Sequence, residues 1–174
     1  MITGDRVTLR AITPDDYARL AQYRNDLELE LLGGGGPIRP RPPAVVAEFF
    51  DQLVKDRGQF TFAIEADGTL IGDTGLFHLD QVSGTAEVGI GIGDRDYWSR
   101  GYGREALNLI VDFGFQVQNL RKIWLQVHGS NERAIRSYRA AGFVEEGRQI
   151  AHVWSGGRYE DLVSMARFRD PRPE

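Results

Sequence analysis

Polar and apolar residues alternate from Val7 to Ile12, a period of two that predicts a strand. Thr13-Pro14-Asp15-Asp16 then reads as a helix start, with a threonine cap, proline at the first helical position and acids in the first turn. That helix runs to about Asn25. Glycines at positions 33–36 followed by Pro37 break the chain, and Pro40, Pro42 and Pro43 prolong the irregular stretch. A second helix is expected over residues 44–55, with Val45, Phe49 and Leu53 on its apolar side.

Beyond Gly58 the texture changes to strands. Residues 60–65 form one, Asp67-Gly68 a hairpin turn and residues 70–77 its partner. Ser83-Gly84 turns the chain into residues 86–92. A helix follows over about 103–118, with Ala106, Leu109, Ile110, Phe113 and Val117 as its apolar stripe. Gly114 inside that helix costs ~1 kcal/mol relative to alanine, which points to close packing there. Residues 123–127 are a strand, Asn131 caps a last helix and Gly142 ends it. A final hairpin begins at Phe143 and turns at Ser155-Gly156-Gly157. The order is β-α-α-β-β-β-α-β-α-β-β. It predicts one α/β domain over residues 1–174, a mixed and mostly antiparallel sheet of about seven strands with helices on both faces.

Composition narrows the chemistry. The absence of cysteine excludes disulfides, zinc–thiolate sites and a cysteine nucleophile, and fits a reducing compartment. The N-terminus lacks the apolar core of a signal peptide, and no apolar run approaches the ~20 residues of a membrane span, so a cytoplasmic protein without membrane contact is expected. The net charge of −4 argues against nucleic acid as a partner. Its distribution is uneven. Residues 1–98 carry 9 Lys/Arg and 16 Asp/Glu (−7), whereas residues 99–139 carry 7 and 3 (+4).

The basic stretch coincides with the glycine signal Trp98-Ser99-Arg100-Gly101-Tyr102-Gly103-Arg104, which joins a strand to an amphipathic helix. A helix N-terminus leaves amides unpaired and carries the positive end of the dipole; glycines let an anion approach the backbone closely. The phosphate loop pattern G-x-x-x-x-G-K-[ST] is absent. Gly101, Gly103 and Ala106 do satisfy the dinucleotide pattern G-x-G-x-x-G/A. Its context is wrong, because about eight residues separate Ile92 from Gly101 and no acid follows the next strand at Val127-His128. A dinucleotide-binding oxidoreductase is therefore a remote alternative.

The stretch Glu87 to Ala106 resembles the acetyl-coenzyme A motif of the GNAT N-acetyltransferases, [Q/R]-x-x-G-x-[G/A], with Trp98 at the usual Gln/Arg position. Asn131-Glu-Arg-Ala-Ile-Arg-Ser-Tyr138 through Phe143 resembles the family's second cofactor helix, and Glu145-Glu-Gly147 with Trp154 to Asp161 its closing hairpin. The nearest subgroup contains ribosomal-protein N-terminal and spermidine acetyltransferases. The resemblance implies transfer of acetyl from acetyl-CoA, without a metal, to a small amine or protein N-terminus. It also implies that Ser99, Arg100, Gly101, Tyr102, Gly103 and Arg104 hold the pyrophosphate. Gly91, Ile92 and Gly93 would flank the pantetheine arm, Asn131 would bond it, and Arg136 and Arg139 would lie near the adenosine phosphates. Tyr138 would be the general acid and Glu87 the base, with a core tyrosine and a solvated carboxylate as their alternatives. His78, His128 and His152 have no metal-ligand spacing and read as structural. A homodimer is the expected assembly, and a non-catalytic coenzyme A-binding module the competing function.

Overall fold

A computed structural model describes residues 1–33, 38–56 and 58–170. They form an eight-stranded sheet in the order β1-β2-β3-β4-β5-β6-β8-β7. The strands are β1 (Ile2–Thr3), β2 (Thr8–Arg10), β3 (Phe60–Ala66), β4 (Thr69–Asp80), β5 (Thr85–Ile92), β6 (Lys122–His128), β7 (Val144–Ser155) and β8 (Arg158–Phe168). The helices are α1 (Tyr17–Arg24), α2 (Leu27–Gly33), α3 (Pro43–Lys55), α4 (Tyr102–Gln116) and α5 (Glu132–Ala140). The mixed, mostly antiparallel sheet is as expected; the eighth strand arises because a short β1 precedes and pairs with β2.

The turns form where the residues allow a left-handed backbone. Asp67 and Gly68 (φ 51° and 72°) close β3 onto β4, and Gly156 and Gly157 (φ 57° and 85°) close β7 onto β8. Gly114 packs as its place in α4 demands: a Cβ there would lie 2.6 Å from Ile123 Cδ1 and 3.1 Å from Leu76 Cδ1.

Some expectations need correction. The helix expected from Thr13 opens as a 3-10 turn over Pro14–Asp16 and becomes α1 at Tyr17. Helix α2 was not foreseen: it buries none of its residues, and Leu27, Leu29 and Leu31 alternate with Glu28 and Glu30, a period of two that masks a helix. Helix α3 buries Val46 and Phe50, while Val45 and Phe49 are 51% and 47% exposed. Two adjacent apolar stripes run along that helix, and packing on α1 selects the one with Phe50, which stacks on Tyr17 at 6.1 Å. Val117 lies past the end of α4 and is 65% exposed, so the buried stripe stops earlier than expected. Of the glycine run expected to break the chain, Gly33 ends α2, and residues 34–37 lie outside the described residues.

Two cores flank the sheet. The larger joins Leu76, Ala86, Val88, Ile123, Leu125 and Val127 to Ala106, Leu107, Ile110 and Val111 of α4, and reaches Ile135 of α5. The smaller joins Ala63 and Leu70 to Leu20 and Ala21 of α1 and Val46 and Phe50 of α3.

All neighbouring strands are antiparallel except β5 and β6, whose parallel register covers only Thr85–Glu87 against Lys122–Trp124. Beyond Glu87 the two strands part. This opening is what positions the site.

Candidate active site

A cleft of about 1340 Å³ occupies the gap between the parted strands. One wall is β5 from Glu87 to Ile92, followed by Gly93; the other is Gln126, Val127 and His128 of β6. Since β5 pairs with β6 only as far as Glu87, the edge of Val88–Ile92 that faces the gap lacks a strand partner. Such an edge accepts an extended chain with its own amides and carbonyls. Gly91 pairs with Asp73 on its other edge, and no atom lies within 4 Å of where its Cβ would be. Gly93 differs. The Tyr23 ring fills the place of its side chain, and its amide donates to the Ile71 carbonyl at 2.8 Å.

The mouth of the cleft is the glycine loop. Gly101 (φ 92°) precedes the first turn of α4 in a conformation that side chains disfavour, and Ser99 also has positive φ (57°). Ser99, Arg100, Gly101, Gly103 and Arg104 line the cleft. Tyr102 does not; its ring packs edge-on against Tyr97 at 5.0 Å and lies under Arg6. Arg6 was missed by sequence reasoning. Its Nη1 donates to the Arg100 carbonyl at 2.9 Å, and its Nε donates to Glu105 Oε2 at 3.1 Å. Glu105 Oε1 accepts the amides of Arg6 and Val7, so the chain start braces the loop across 99 positions of sequence. No local motif could have revealed this contact.

Asn131 caps α5 as expected, its Oδ1 accepting the Ala134 amide at 3.2 Å, while its Nδ2 donates to the Leu32 carbonyl of α2 at 3.1 Å. Both ends of the amide are thus engaged. Arg136 lines the cleft and pairs with Glu132 at 3.2 Å. Arg139 points elsewhere, to Glu145 at 3.3 Å, and does not line the cleft.

Tyr138 and Glu87 face the same cleft. Burial pushes the Tyr138 phenol up to about 12, opposed by the nearby Arg133 charge, and no hydrogen bond contributes. The phenol therefore carries its proton throughout the neutral range. Glu87, the last residue paired with β6, lies where the strands begin to part, its Oε2 2.7 Å from Nδ1 of His78. His128, at the end of β6, is buried, and its Nδ1 has no hydrogen-bond partner among the described residues. Among those residues no group of three or more His, Cys, Asp or Glu side chains is placed to hold a metal ion.

Residues 6–144 match the acetyltransferase (GNAT) domain family. The chain belongs to that family. It is 32% identical over 163 residues to spermidine N(1)-acetyltransferase of Vibrio cholerae, covering 93% of this chain and 92% of the relative. It is 32% identical over 124 residues to the Escherichia coli K12 protein of that name, covering 71% of this chain and 66% of the relative. A crystal structure of the Vibrio cholerae enzyme in complex with CoA and spermine matches with a TM-score of 0.87 at 26% identity, covering 95% of this chain and 97% of that one.

This acetyltransferase therefore uses acetyl-CoA as its acetyl donor and an amine as its acceptor. The cleft fits that donor. An unpartnered strand edge, the open side of Gly91 and a helix N-terminus behind a glycine loop follow one another along it. Among the described residues no helix is long and apolar enough to cross a membrane.

Proposed function

We propose that this cleft is the catalytic centre and that it acetylates a small cationic primary amine, with a polyamine as the leading class of acceptor. The observation that carries the reading is the parting of β5 from β6 at Glu87, with Tyr138 on the cleft wall. Acetyl-CoA supplies the acetyl group as a thioester. The chain's residues supply binding and proton movement. Amides from Arg100 to Arg104 hold the pyrophosphate at the start of α4, and the free edge of β5 near Gly91 and Ile92 holds the pantetheine arm. Glu87 takes the proton of the incoming ammonium through water. Tyr138 holds a proton on its phenol oxygen and delivers it to the departing sulfur.

Support for a cationic acceptor comes from the cleft wall, where Glu30, Asp73 and Glu87 are present. Asp73 is held by Arg24 at 2.6 Å and Glu30 by Arg41 at 2.9 Å, so these carboxylates are ordered but partly neutralised. The names of the relatives point the same way. The cytoplasm, where acetyl-CoA is at hand, suits a chain without cysteine. A homodimer is the assembly we assign, through the exposed Ile150, Trp154 and Tyr159 of the β7–β8 hairpin. An acceptor screen read by thiol release tests the function. Turnover with spermidine or another polyamine supports it; turnover confined to neutral or anionic amines refutes the acceptor class. Sedimentation tests the assembly.

A further inference from the structure

Trp98 departs from the family pattern, and the structure gives its side chain an occupation. The indole Nε1 donates to the Ile92 carbonyl at 2.7 Å, which fixes the ring at the end of β5, next to Ser99 and Arg100 of the glycine loop. Two guanidinium groups approach this ring: Arg133 of α5, with Cζ 3.7 Å from the centroid, and Arg95, with Cζ at 5.3 Å. Their electrostatic situations differ. Arg95 is neutralised by Asp26 at 2.7 Å and Glu28 at 2.5 Å. Arg133 has no ion-pair or hydrogen-bond partner among the described residues, although it is half-buried and lines the cleft.

A desolvated cation without an ion-pair contact is costly, and burial pulls the Arg133 pKa down; Glu28 opposes this without touching Arg133, being itself paired with Arg95. The guanidinium nevertheless stays charged at neutral pH. Stacking on an indole fixes its plane and leaves the N–H fork at its edge free to meet a phosphate through paired hydrogen bonds. Arg6, Arg136 and Arg139 are committed to Glu105, Glu132 and Glu145, and Arg100 donates to the Asp96 carbonyl. Arg104 of the same loop, like Arg133, lines the cleft and has no ion-pair partner among the described residues.

We propose that Arg133 is a phosphate ligand of the coenzyme and that Trp98 is the platform that holds it ready, opposite the amides of the glycine loop. The coenzyme then provides the contacting anion that Glu28, paired with Arg95, does not supply. Arg133 comes from the β6 side of the opening and Trp98 from the β5 side, so their stack also ties the two walls together at the mouth. This rests on the reading of the cleft as the coenzyme site.

Two donors separate the possibilities: acetyl-CoA, which carries the phosphates, and S-acetylpantetheine, which has none. The measured quantity is the ratio of kcat/KM for the two donors at saturating amine, with folding checked by circular dichroism. In Arg133→Ala the preference for acetyl-CoA is expected to shrink about tenfold or more, with partial recovery in Arg133→Lys. Trp98→Phe keeps the platform and most of the preference. Trp98→Ala loses it, and the double variant Trp98→Ala/Arg133→Ala loses little more than either single change. If Arg133→Ala leaves the ratio intact, or lowers both rates equally, the phosphate role is overturned. A wild-type protein that does not prefer acetyl-CoA over S-acetylpantetheine overturns the coenzyme site itself, a distinct failure.

Discussion

Glu87 Oε2 lies 2.7 Å from Nδ1 of His78, and the His78 ring stacks over Trp124, the residue that Glu87 faces across the β5–β6 pair. Glu87 itself is largely shielded while His78 is three-quarters exposed, so the pair joins the floor of the cleft to bulk water. A proton accepted by Glu87 therefore has a route out. Glu87→Gln is expected to lower kcat/KM for the amine about 10²-fold or more, and His78→Gln by less. Rates of both variants across pH check this. Wild-type rates in Glu87→Gln make the carboxylate structural.

Tyr138→Phe is expected to reduce kcat by ~10²–10⁴ while KM for acetyl-CoA changes little. The phenol has no hydrogen bond among the described residues, so removing it strands no partner there and stability should hold. Steady-state kinetics with a thermal melt decide between acid and core residue. Full turnover would return Tyr138 to a packing role.

Gly101→Val acts on the loop twice. A β-branched residue at φ 92° costs roughly 1–2 kcal/mol, and its Cβ would lie 2.7 Å from Arg6 Nη2, displacing the brace that holds Arg100. Gly103 has more room, its Cβ position being 3.3 Å from Ile92 Cγ1. Coenzyme affinity, measured by calorimetry, should therefore fall further for Gly101→Val than for Gly103→Val. Equal affinity in folded variants would make the glycines a mere connector.

Stability should depend on Asp16. This buried carboxylate accepts two hydrogen bonds from Arg10 at 2.8 Å and the Thr13 amide at 2.8 Å, and the Arg10 contact holds its pKa below the usual carboxylate value. A depressed folded pKa means the stabilisation is complete above the unfolded value of about 3.9 and disappears as pH falls through the folded one. Asp16→Asn is expected to cost about 2–3 kcal/mol near pH 7 and to lose less as the medium becomes acid. Urea unfolding at several pH values measures the difference.

Acceptor binding should weaken with salt. Residues 1–98 carry −7 and residues 99–139 carry +4, so the anionic donor and the cationic acceptor are drawn to opposite parts of the chain. KM for a polyamine is expected to rise between low and high ionic strength. A KM independent of salt would leave those acids as a solubilising surface.

What the sequence by itself determined is local. The caps at Thr13 and Asn131, the left-handed turns at Gly68, Gly142 and Gly156, the close packing at Gly114 and the glycine loop before α4 all follow from conformational limits of single residues or from short periodicity. Tyr138 and Glu87 could be named only through the family resemblance, and their roles stand as proposals. Tertiary structure alone decided the rest. Arg6 braces Arg100 from 94 residues away, Arg133 stacks on Trp98 from another helix, and Phe50 rather than Phe49 turns inward because α1 covers that side. Helix α2 escaped notice because it buries no face, and its end is held by carbonyl contacts to Asn131 and Ser155 instead. Periodicity reports which face of an element is apolar, but partners distant in sequence meet only when the whole chain has packed, so neither a brace nor a cation stacked on a distant indole leaves a local mark.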